Sequence, residues 1–170
     1  MPRHESNCPA KLRPFAESDF EPLHAIDQSC FPRGIAYSRR TLRWFLSLRG
    51  ADCIVAETGM EAIAFILTHA EGRQGQIVTL DVTAPYRRSG VGSLLLREAE
   101  SRQRGAGVRE VWLETATNNH AAIAFWQKHG YRTEAVLKNY YLGRLDAFRM
   151  RKILPLHPDA DPGSRSSESR

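Results

Sequence analysis

The sequence predicts a single domain of the α/β class, in which a mixed central β-sheet is flanked by about four helices. The chain has 170 residues, an ordinary length for one domain with its own core. Hydrophobic residues make up 42% of it and charged residues 25%, as in globular proteins generally. Hydrophobic periods of two and of 3.6 residues follow one another in the order β-α-α-β-β-β-α-β-α-β-β, which indicates a mixed α/β sandwich and not a doubly wound sheet.

The first half of the chain predicts a strand, two helices and three further strands. A β-rich run at residues 12–14 is the first strand, and Ser18 and Glu21 then have the spacing of a capping box ahead of the first helix. Ser38 is the predicted cap of a second helix, which would bury Leu42 on its apolar face. Further β-rich runs predict three strands, at residues 53–57, 61–69 and 76–83.

The second half alternates between helices and strands. Apolar residues at helical intervals predict helices at residues 91–104 and 119–129. Extended runs predict strands at residues 108–115, 131–137 and 147–153. These elements complete the predicted sheet and its helical layers.

The two ends differ in composition from the body of the chain. Residues 1–10 are polar, and residues 155–170 read PLHPDADPGSRSSESR, with almost nothing to bury. We therefore expect a flexible leader at residues 1–10, one domain at residues 11–154 and a disordered tail at residues 155–170. The apolar stretches fall far short of the ~20 residues that cross a bilayer, and no signal peptide is evident, so we expect a cytoplasmic protein without a membrane partner.

Charge and cysteine usage exclude some classes of function. The net charge of +5 suits an anionic ligand, but the basic residues are scattered, which argues against direct nucleic-acid binding. The three cysteines are far apart and form neither a disulfide framework nor a C-x-x-C motif. We expect no metal site.

A glycine-containing turn precedes the helix predicted at residues 91–104. Residues 87–92 read RRSGVG, and Gly90 and Gly92 would let backbone N–H groups approach an anion at the helix N-terminus. A strand-to-helix turn also needs glycine for purely conformational reasons, so the residues alone leave both interpretations open. The spacing matches neither the P-loop nor the dinucleotide-binding fingerprint.

Three segments around this turn carry a family resemblance. They read VTLDVTAPYRRSGVGSLLL, VWLETATNNHAAIAFWQKHGY and KNYY, and they resemble the GCN5-related N-acetyltransferases (GNAT), most of all the ribosomal-protein alanine N-acetyltransferase branch. The likeness is continuous over residues 76–154 and weaker from Lys11 onward. It implies the GNAT fold, acetyl-coenzyme A as cosubstrate without a metal, and direct transfer of the acetyl group to an amine in a ternary complex.

The resemblance also implies which residues bind the coenzyme. Backbone groups of residues 80–82 would line the pantetheine and the thioester, and residues 88–93 would wrap the pyrophosphate. The full implied set is Leu80, Asp81, Val82, Arg87, Arg88, Ser89, Gly90, Val91, Gly92, Ser93 and Asn119. Three of these positions have ordinary structural interpretations as well, since Leu80 and Val82 fit a strand core and Asn119 fits a helix N-cap.

The catalytic residues implied by the resemblance include one departure from the family pattern. Glu114 matches the general base, although a carboxylate at a strand end could instead face solvent or pair with an arginine such as Arg109. The family's tyrosine acid is replaced by Trp126, whose indole N–H cannot release a proton near neutral pH. Tyr140 and Tyr141 are candidates for the acid or for substrate contact.

Three functions are consistent with the sequence. The first is acetylation of a protein or peptide N-terminal α-amine, possibly ribosomal, with the substrate entering between residues 31–37 and 140–144. The second is acetylation of a small amine, for which residues 31–50 would form a closed pocket. The third is a non-catalytic acyl-coenzyme A sensor, supported only by Trp126. The acceptor, the acyl-chain length and the oligomeric state are not predicted.

Overall fold

Residues 10–155 are described by the structure, a computed structural model. The predicted leader and tail therefore lie, except for Ala10 and Pro155, outside the described residues. Within the described part of the chain, no helix is both long and apolar enough to cross a membrane.

Seven strands and four helices form the described part of the chain in the predicted order, which confirms the mixed α/β class. The strands are β1 (Lys11–Pro14), β2 (Ala51–Thr58), β3 (Glu61–Glu71), β4 (Gln74–Val82), β5 (Glu110–Ala116), β6 (Arg132–Tyr141) and β7 (Leu145–Ile153). The helices are α1 (Phe20–Cys30), α2 (Arg39–Ser47), α3 (Val91–Gly105) and α4 (His120–Lys128). Short 3-10 turns at Glu17–Asp19 and Ala84–Tyr86 precede α1 and α3.

The strands form one sheet with the spatial order β1-β2-β3-β4-β5-β7-β6. The central pair, β4 and β5, is parallel, and each of the other neighbouring pairs is antiparallel. Pairing between β4 and β5 joins Gln74–Gln76 to Glu110–Trp112 and goes no further. Beyond these three pairs the strands diverge, so the sheet has an opening between the C-terminal halves of β4 and β5.

The two faces of the sheet carry separate hydrophobic layers, because successive strand residues point to opposite sides. On β3, Ile66 packs in the cluster that includes Leu95 of α3, whereas Phe65 packs in the cluster that includes Leu23 of α1 and Leu42 of α2. All five side chains are fully or almost fully buried, and each such burial is worth about 1.5–3 kcal/mol. The opening in the sheet is therefore held between two firmly packed layers.

The two predicted helix caps had different outcomes. Ser38 caps α2 as predicted, since its Oγ accepts the Thr41 N–H at 3.1 Å. The capping box predicted at Ser18 is wrong, because a 3-10 turn occupies that position and α1 begins at Phe20. The carboxylate of Asp19 instead accepts the N–H of Ala16 at 2.7 Å, which satisfies the donor that the tight turn would otherwise leave unpaired.

Candidate functional site

The edge of β4 that faces the opening presents backbone groups that β5 does not pair. The Val78 carbonyl accepts the Tyr37 hydroxyl at 3.2 Å, and the Val82 carbonyl accepts Nε of Arg87 at 3.0 Å. Since backbone groups of alternate strand residues point to the same side, the N–H and C=O of Leu80 also face the opening. This edge fits an extended ligand that carries amide groups.

The turn after β4 places several N–H donors at one end of the opening. Arg88 and Gly90 have positive φ angles of 60° and 90°, a conformation that turns successive N–H groups toward one side. At the start of α3, the N–H groups of Val91, Gly92 and Ser93 have no backbone acceptor within the described residues. Helix N-termini with free donors bind phosphate groups well.

Other residues implied for coenzyme binding have local partners. The Arg87 guanidinium folds back onto the Val82 carbonyl, and the Ser89 hydroxyl donates to the carbonyl of Tyr86. The Asn119 side chain caps α4 by accepting the Ala122 N–H at 3.2 Å. The capping interpretation of Asn119 is thus confirmed, while its contact with the coenzyme stays a prediction.

Glu114 lies on β5, on the other side of the opening. Its Oε1 accepts Nη2 of Arg149 at 2.6 Å, because Arg149 is its direct cross-strand neighbour on β7. The Arg149 guanidinium also stacks over the Trp112 ring at 4.9 Å. Glu114 therefore pairs with an arginine, as one of the two alternatives predicted. The arginine is Arg149, and the prediction of Arg109 is wrong, because the Arg109 side chain donates to the Val108 carbonyl.

Two tyrosines from the end of β6 complete the surroundings of Glu114. The rings of Tyr140 and Tyr141 meet edge to face, with their centroids 4.9 Å apart. Strand β6 extends to Tyr141, whereas the sequence predicted that it ends at residue 137. Burial, and next a hydrogen bond to Glu114, raises the pKa of Tyr140. Burial, and next the charge of Glu114, raises the pKa of Tyr141 to about 12. Both phenols are neutral hydrogen-bond donors at neutral pH.

The loop between α1 and α2 borders the same space. It carries Tyr37, whose pKa is raised first by burial and then by the nearby Tyr141 and Tyr140. In this loop Gly34 has a φ of 91°, and a Cβ at that position would lie 2.5 Å from Cδ2 of Leu142. The α1–α2 loop and the β6–β7 turn therefore touch, and together they border the side of the opening on which Glu114 lies.

Trp126 does not join this group. It is buried in the core layer formed by α3 and α4, where its ring lies 5.5 Å from that of Tyr131. The Tyr131 hydroxyl in turn donates to Oε1 of Glu100 at 2.8 Å. Both aromatic residues are core side chains.

Three features of the site were not predicted from the sequence. Arg149 was missed because only the register of β5 against β7 places it opposite Glu114. Tyr37 was predicted only as the end of a segment that borders the substrate, and its hydrogen bond to the Val78 carbonyl was missed because Val78 is 41 positions away along the chain. The side chain of Asp81 was also missed, although an acidic residue within an apolar run, TLDV, signals a buried carboxyl group. In residues 10–155, no three potential ligand side chains come together to hold a metal ion.

Comparison with known proteins identifies the family. The sequence pattern of the Acetyltransferase (GNAT) family matches residues 20–131. The chain belongs to this family. The GNAT chain is 32% identical over 123 residues to N-alpha-acetyltransferase MAK3 from Arabidopsis thaliana, a match that covers 70% of the chain and 65% of that relative. It thus spans less than two thirds of the relative's length.

Solved structures share the fold of this GNAT chain. Ard1 from Thermoplasma volcanium superimposes with a TM-score of 0.79 at 27% identity, covering 86% of this chain and 99% of that one. The ribosomal-protein-S18-alanine N-acetyltransferase from Escherichia coli gives a TM-score of 0.78 at 22% identity, covering 89% and 97%. The predicted GNAT family and fold are both confirmed.

Proposed function

We propose that this GNAT protein transfers an acetyl group from acetyl-coenzyme A to the N-terminal α-amine of a protein or peptide. The observation that carries the proposal is the position of Glu114, a carboxylate at the opening of the sheet that is held by Arg149 and lies near enough to Tyr140 to raise the pKa of that phenol. The name of the Arabidopsis relative, N-alpha-acetyltransferase, supports an α-amine as the acceptor. A ribosomal-protein N-terminus is one such acceptor.

The donor would bind along β4 and the turn that follows it. The backbone of Leu80 faces the opening and suits the amides of pantetheine, and the free N–H groups of Val91, Gly92 and Ser93 suit a pyrophosphate. When bound, acetyl-coenzyme A supplies an acetyl thioester. The chain's task is then to align an amine with that thioester and to remove a proton from the amine.

The reaction needs a neutral amine. At pH 7 roughly a tenth of α-amino groups are neutral, against well under a hundredth of lysine side chains. Glu114 would accept the proton directly or through water, with its Oε1 fixed by Arg149. Tyr140 and Tyr141 stay protonated and would orient the amine or the carboxylate as hydrogen-bond donors. A thiol of pKa about 8.5 is a fair leaving group without an acid, so the reaction does not require a proton from Trp126.

One contact favours the second candidate, acetylation of a small amine. Leu142 packs against Gly34, which joins the two segments that border the acceptor side. A contact that closes this side of the opening suits a short amine better than an extended peptide. The sensor alternative has less support, because Trp126 is a core residue and because Glu114 keeps an ordered set of partners.

The test is release of free thiol from acetyl-coenzyme A by the purified protein. Peptides with free N-termini, beginning with alanine, are compared with the same peptides bearing a blocked N-terminus and an internal lysine, and with small amines. Release that requires the free N-terminus supports the proposal. A preference for small amines supports the second candidate, and saturable acetyl-coenzyme A binding without turnover supports the sensor.

Glu114→Gln is the decisive variant, with Glu110→Gln as its matched control. Glu110 lies on the same face of β5 and pairs with Arg151 at 2.8 Å, so both variants remove one carboxylate from a β5–β7 ion pair. Loss of a general base lowers kcat by roughly 10²–10⁴-fold, and we expect this loss only in Glu114→Gln. Equal activity of the two variants would rule out Glu114 as the base.

A further inference from the structure

Two carboxyl groups face each other in the layer between the sheet and α1. Asp27 of α1 is 0% exposed and Asp81 of β4 is 1% exposed. The two side chains lie within hydrogen-bonding reach of each other. Two carboxylates cannot hydrogen-bond, because neither carries a donor.

The polar neighbours of the pair satisfy only half of its oxygens. Oδ2 of Asp27 accepts the Tyr37 N–H at 2.7 Å and Nε2 of Gln28 at 3.3 Å. Oδ1 of Asp81 accepts the Thr79 hydroxyl. The other two oxygens, Oδ1 of Asp27 and Oδ2 of Asp81, are buried without a hydrogen-bond partner.

A proton shared between the two groups would satisfy both of these oxygens. Within residues 10–155, neither carboxyl group has a lysine, arginine or histidine at salt-bridge distance. Burial raises the pKa of Asp27 and that of Asp81, and the neighbouring charge of Asp27 raises the pKa of Asp81 further. One proton between the two groups would remove one of two buried like charges and supply the missing O–H···O bond.

The other titratable groups around the pair leave this charge balance in place. They are His24 and Cys30 on α1, Tyr37 in the α1–α2 loop, Cys53 on β2 and Arg87 after β4. Arg87 acts on Asp81 only through space, because its guanidinium is bound to the Val82 carbonyl. Burial raises the pKa values of Cys30, Cys53 and Tyr37, so these groups stay neutral near pH 7.

We propose that Asp27 and Asp81 are positioning residues that share one proton, and that this proton holds the α1–α2 loop against β4. Asp27 binds the backbone of Tyr37 at the end of that loop, and Asp81 belongs to the strand whose edge would carry the coenzyme. The pair thus joins the acceptor side of the site to the donor side. The effect on the acceptor rests on the proposed function, whereas the shared proton does not.

Loss of the proton has a defined consequence. Two adjacent buried carboxylates repel each other, so the pair separates and the Tyr37 N–H loses its acceptor. The closed loop therefore holds the proton more tightly than the open loop does, so the ratio of closed to open loop falls by up to tenfold per pH unit between the pair's pKa in the open loop and its higher pKa in the closed loop. Acceptor KM rises by the same factor, while the KM for acetyl-coenzyme A stays unchanged.

The test compares the wild-type protein with Asp81→Asn over a series of pH values. Asparagine keeps the shape of the side chain and donates permanently to Asp27. The first readout is hydrogen exchange of the Tyr37 amide, and the second is acceptor KM, each expressed as a ratio of wild type to variant. The ratio cancels the ordinary pH dependence of exchange and of amine ionisation. Asp52→Asn, in which the lost carboxylate is an exposed partner of Arg102, is the control.

We expect both ratios to be constant at low pH and to rise, by up to tenfold per pH unit, as the pH passes from the pair's open-loop pKa to its closed-loop pKa. Asp52→Asn should follow the wild type throughout. Ratios that stay constant, or an Asp52→Asn profile like that of Asp81→Asn, would overturn the proposal. If Asp81→Asn does not fold, the Asp27→Asn and Asp81→Asn double variant replaces it, since two amides reproduce the same bonds without charge. Absence of any acetylation would sink the proposed function, and the Tyr37 exchange would still decide on the proton.

Discussion

The two sides of the opening are built in different ways. On the side proposed to bind the donor, the groups that line the opening are backbone N–H and C=O groups from one continuous stretch, residues 78–93. On the acceptor side, they are side chains brought together from four separate segments, which carry Tyr37, Glu114, Tyr140 and Arg149. A site made of backbone depends on φ and ψ angles, whereas a site made of side chains depends on tertiary contacts.

Because of this difference, we expect substitutions on the two sides of the opening to act in different ways. A change of side chain on the donor side should matter only where it changes the backbone. On the acceptor side, truncation of a single side chain should matter because its partner loses a hydrogen bond or a packing contact.

After Glu114→Gln, the largest effect is expected for Arg149→Met on the acceptor side. The change leaves the Glu114 carboxylate, 10% exposed, without its charged donor. Since a hydrogen bond to a charged group contributes about 1.5–3 kcal/mol, we expect the free energy of unfolding to fall by about that amount and kcat to fall with it. Urea unfolding measures the first and initial rates the second. Arg151→Met, which removes the partner of Glu110, should lower stability less and leave kcat unchanged; equal losses in kcat would contradict the role of Arg149.

Gly90→Ala should break the donor side. Gly90 has a φ of 90°, and no atom lies within 4 Å of the position that a Cβ would take. An added methyl group therefore meets no clash, but an L-residue in this backbone conformation costs about 1–2 kcal/mol. If the turn relaxes, the N–H groups of α3 lose their alignment and the KM for acetyl-coenzyme A rises roughly 5–30-fold. Steady-state kinetics with each substrate varied would show this. A rise in acceptor KM alone would contradict the assignment of the turn to the donor side.

Leu142→Ala should affect the acceptor side only. Leu142 is 49% exposed and rests on Gly34, so its truncation removes about 1 kcal/mol of apolar contact at the entrance. We expect acceptor KM to change about fivefold, with no change in the KM for acetyl-coenzyme A. Comparison of a peptide with a small amine sharpens the result, because loss of the contact between Leu142 and Gly34 widens the entrance and favours the larger acceptor. A change in the KM for acetyl-coenzyme A would contradict the separation of the two sides.

The smallest effect is expected for Ser93→Ala. Only the N–H of Ser93 is assigned to the coenzyme, and alanine keeps that N–H while favouring the helix. The KM for acetyl-coenzyme A should stay within about twofold and the stability within about 0.5 kcal/mol. Thermal unfolding and initial rates measure both. A large rise in KM would mean that the hydroxyl, and not the backbone, contacts the ligand.

The same difference explains how much could be predicted from the sequence. The order of the elements, the Ser38 cap and the turn at Gly90 depend on neighbouring residues, so local patterns predicted them. The Ser18 cap failed because Asp19, one residue on, has a stronger set of partners, including Arg13 in β1. That competition involves a tertiary contact.

The acceptor side shows where local patterns stop. The family resemblance singled out Glu114, Tyr140 and Tyr141, which the structure brings together, but it could not supply Arg149. That residue is 35 positions away from Glu114 along the chain, and only the pairing of β5 with β7 places it opposite. The Asp27–Asp81 contact likewise needs the packing of α1 on β4.

The opening between β4 and β5 also creates a hazard. A continuous sheet has two outer edges, but a sheet that parts in the middle has two more, and free strand edges attract stray strands from other chains. On β4 the carbonyls of Val78 and Val82 are already occupied, by the Tyr37 hydroxyl and by the side chains of Arg87 and Cys30. We therefore expect these three side chains to hinder aggregation, since an incoming strand would have to displace them before it could pair along this inner edge.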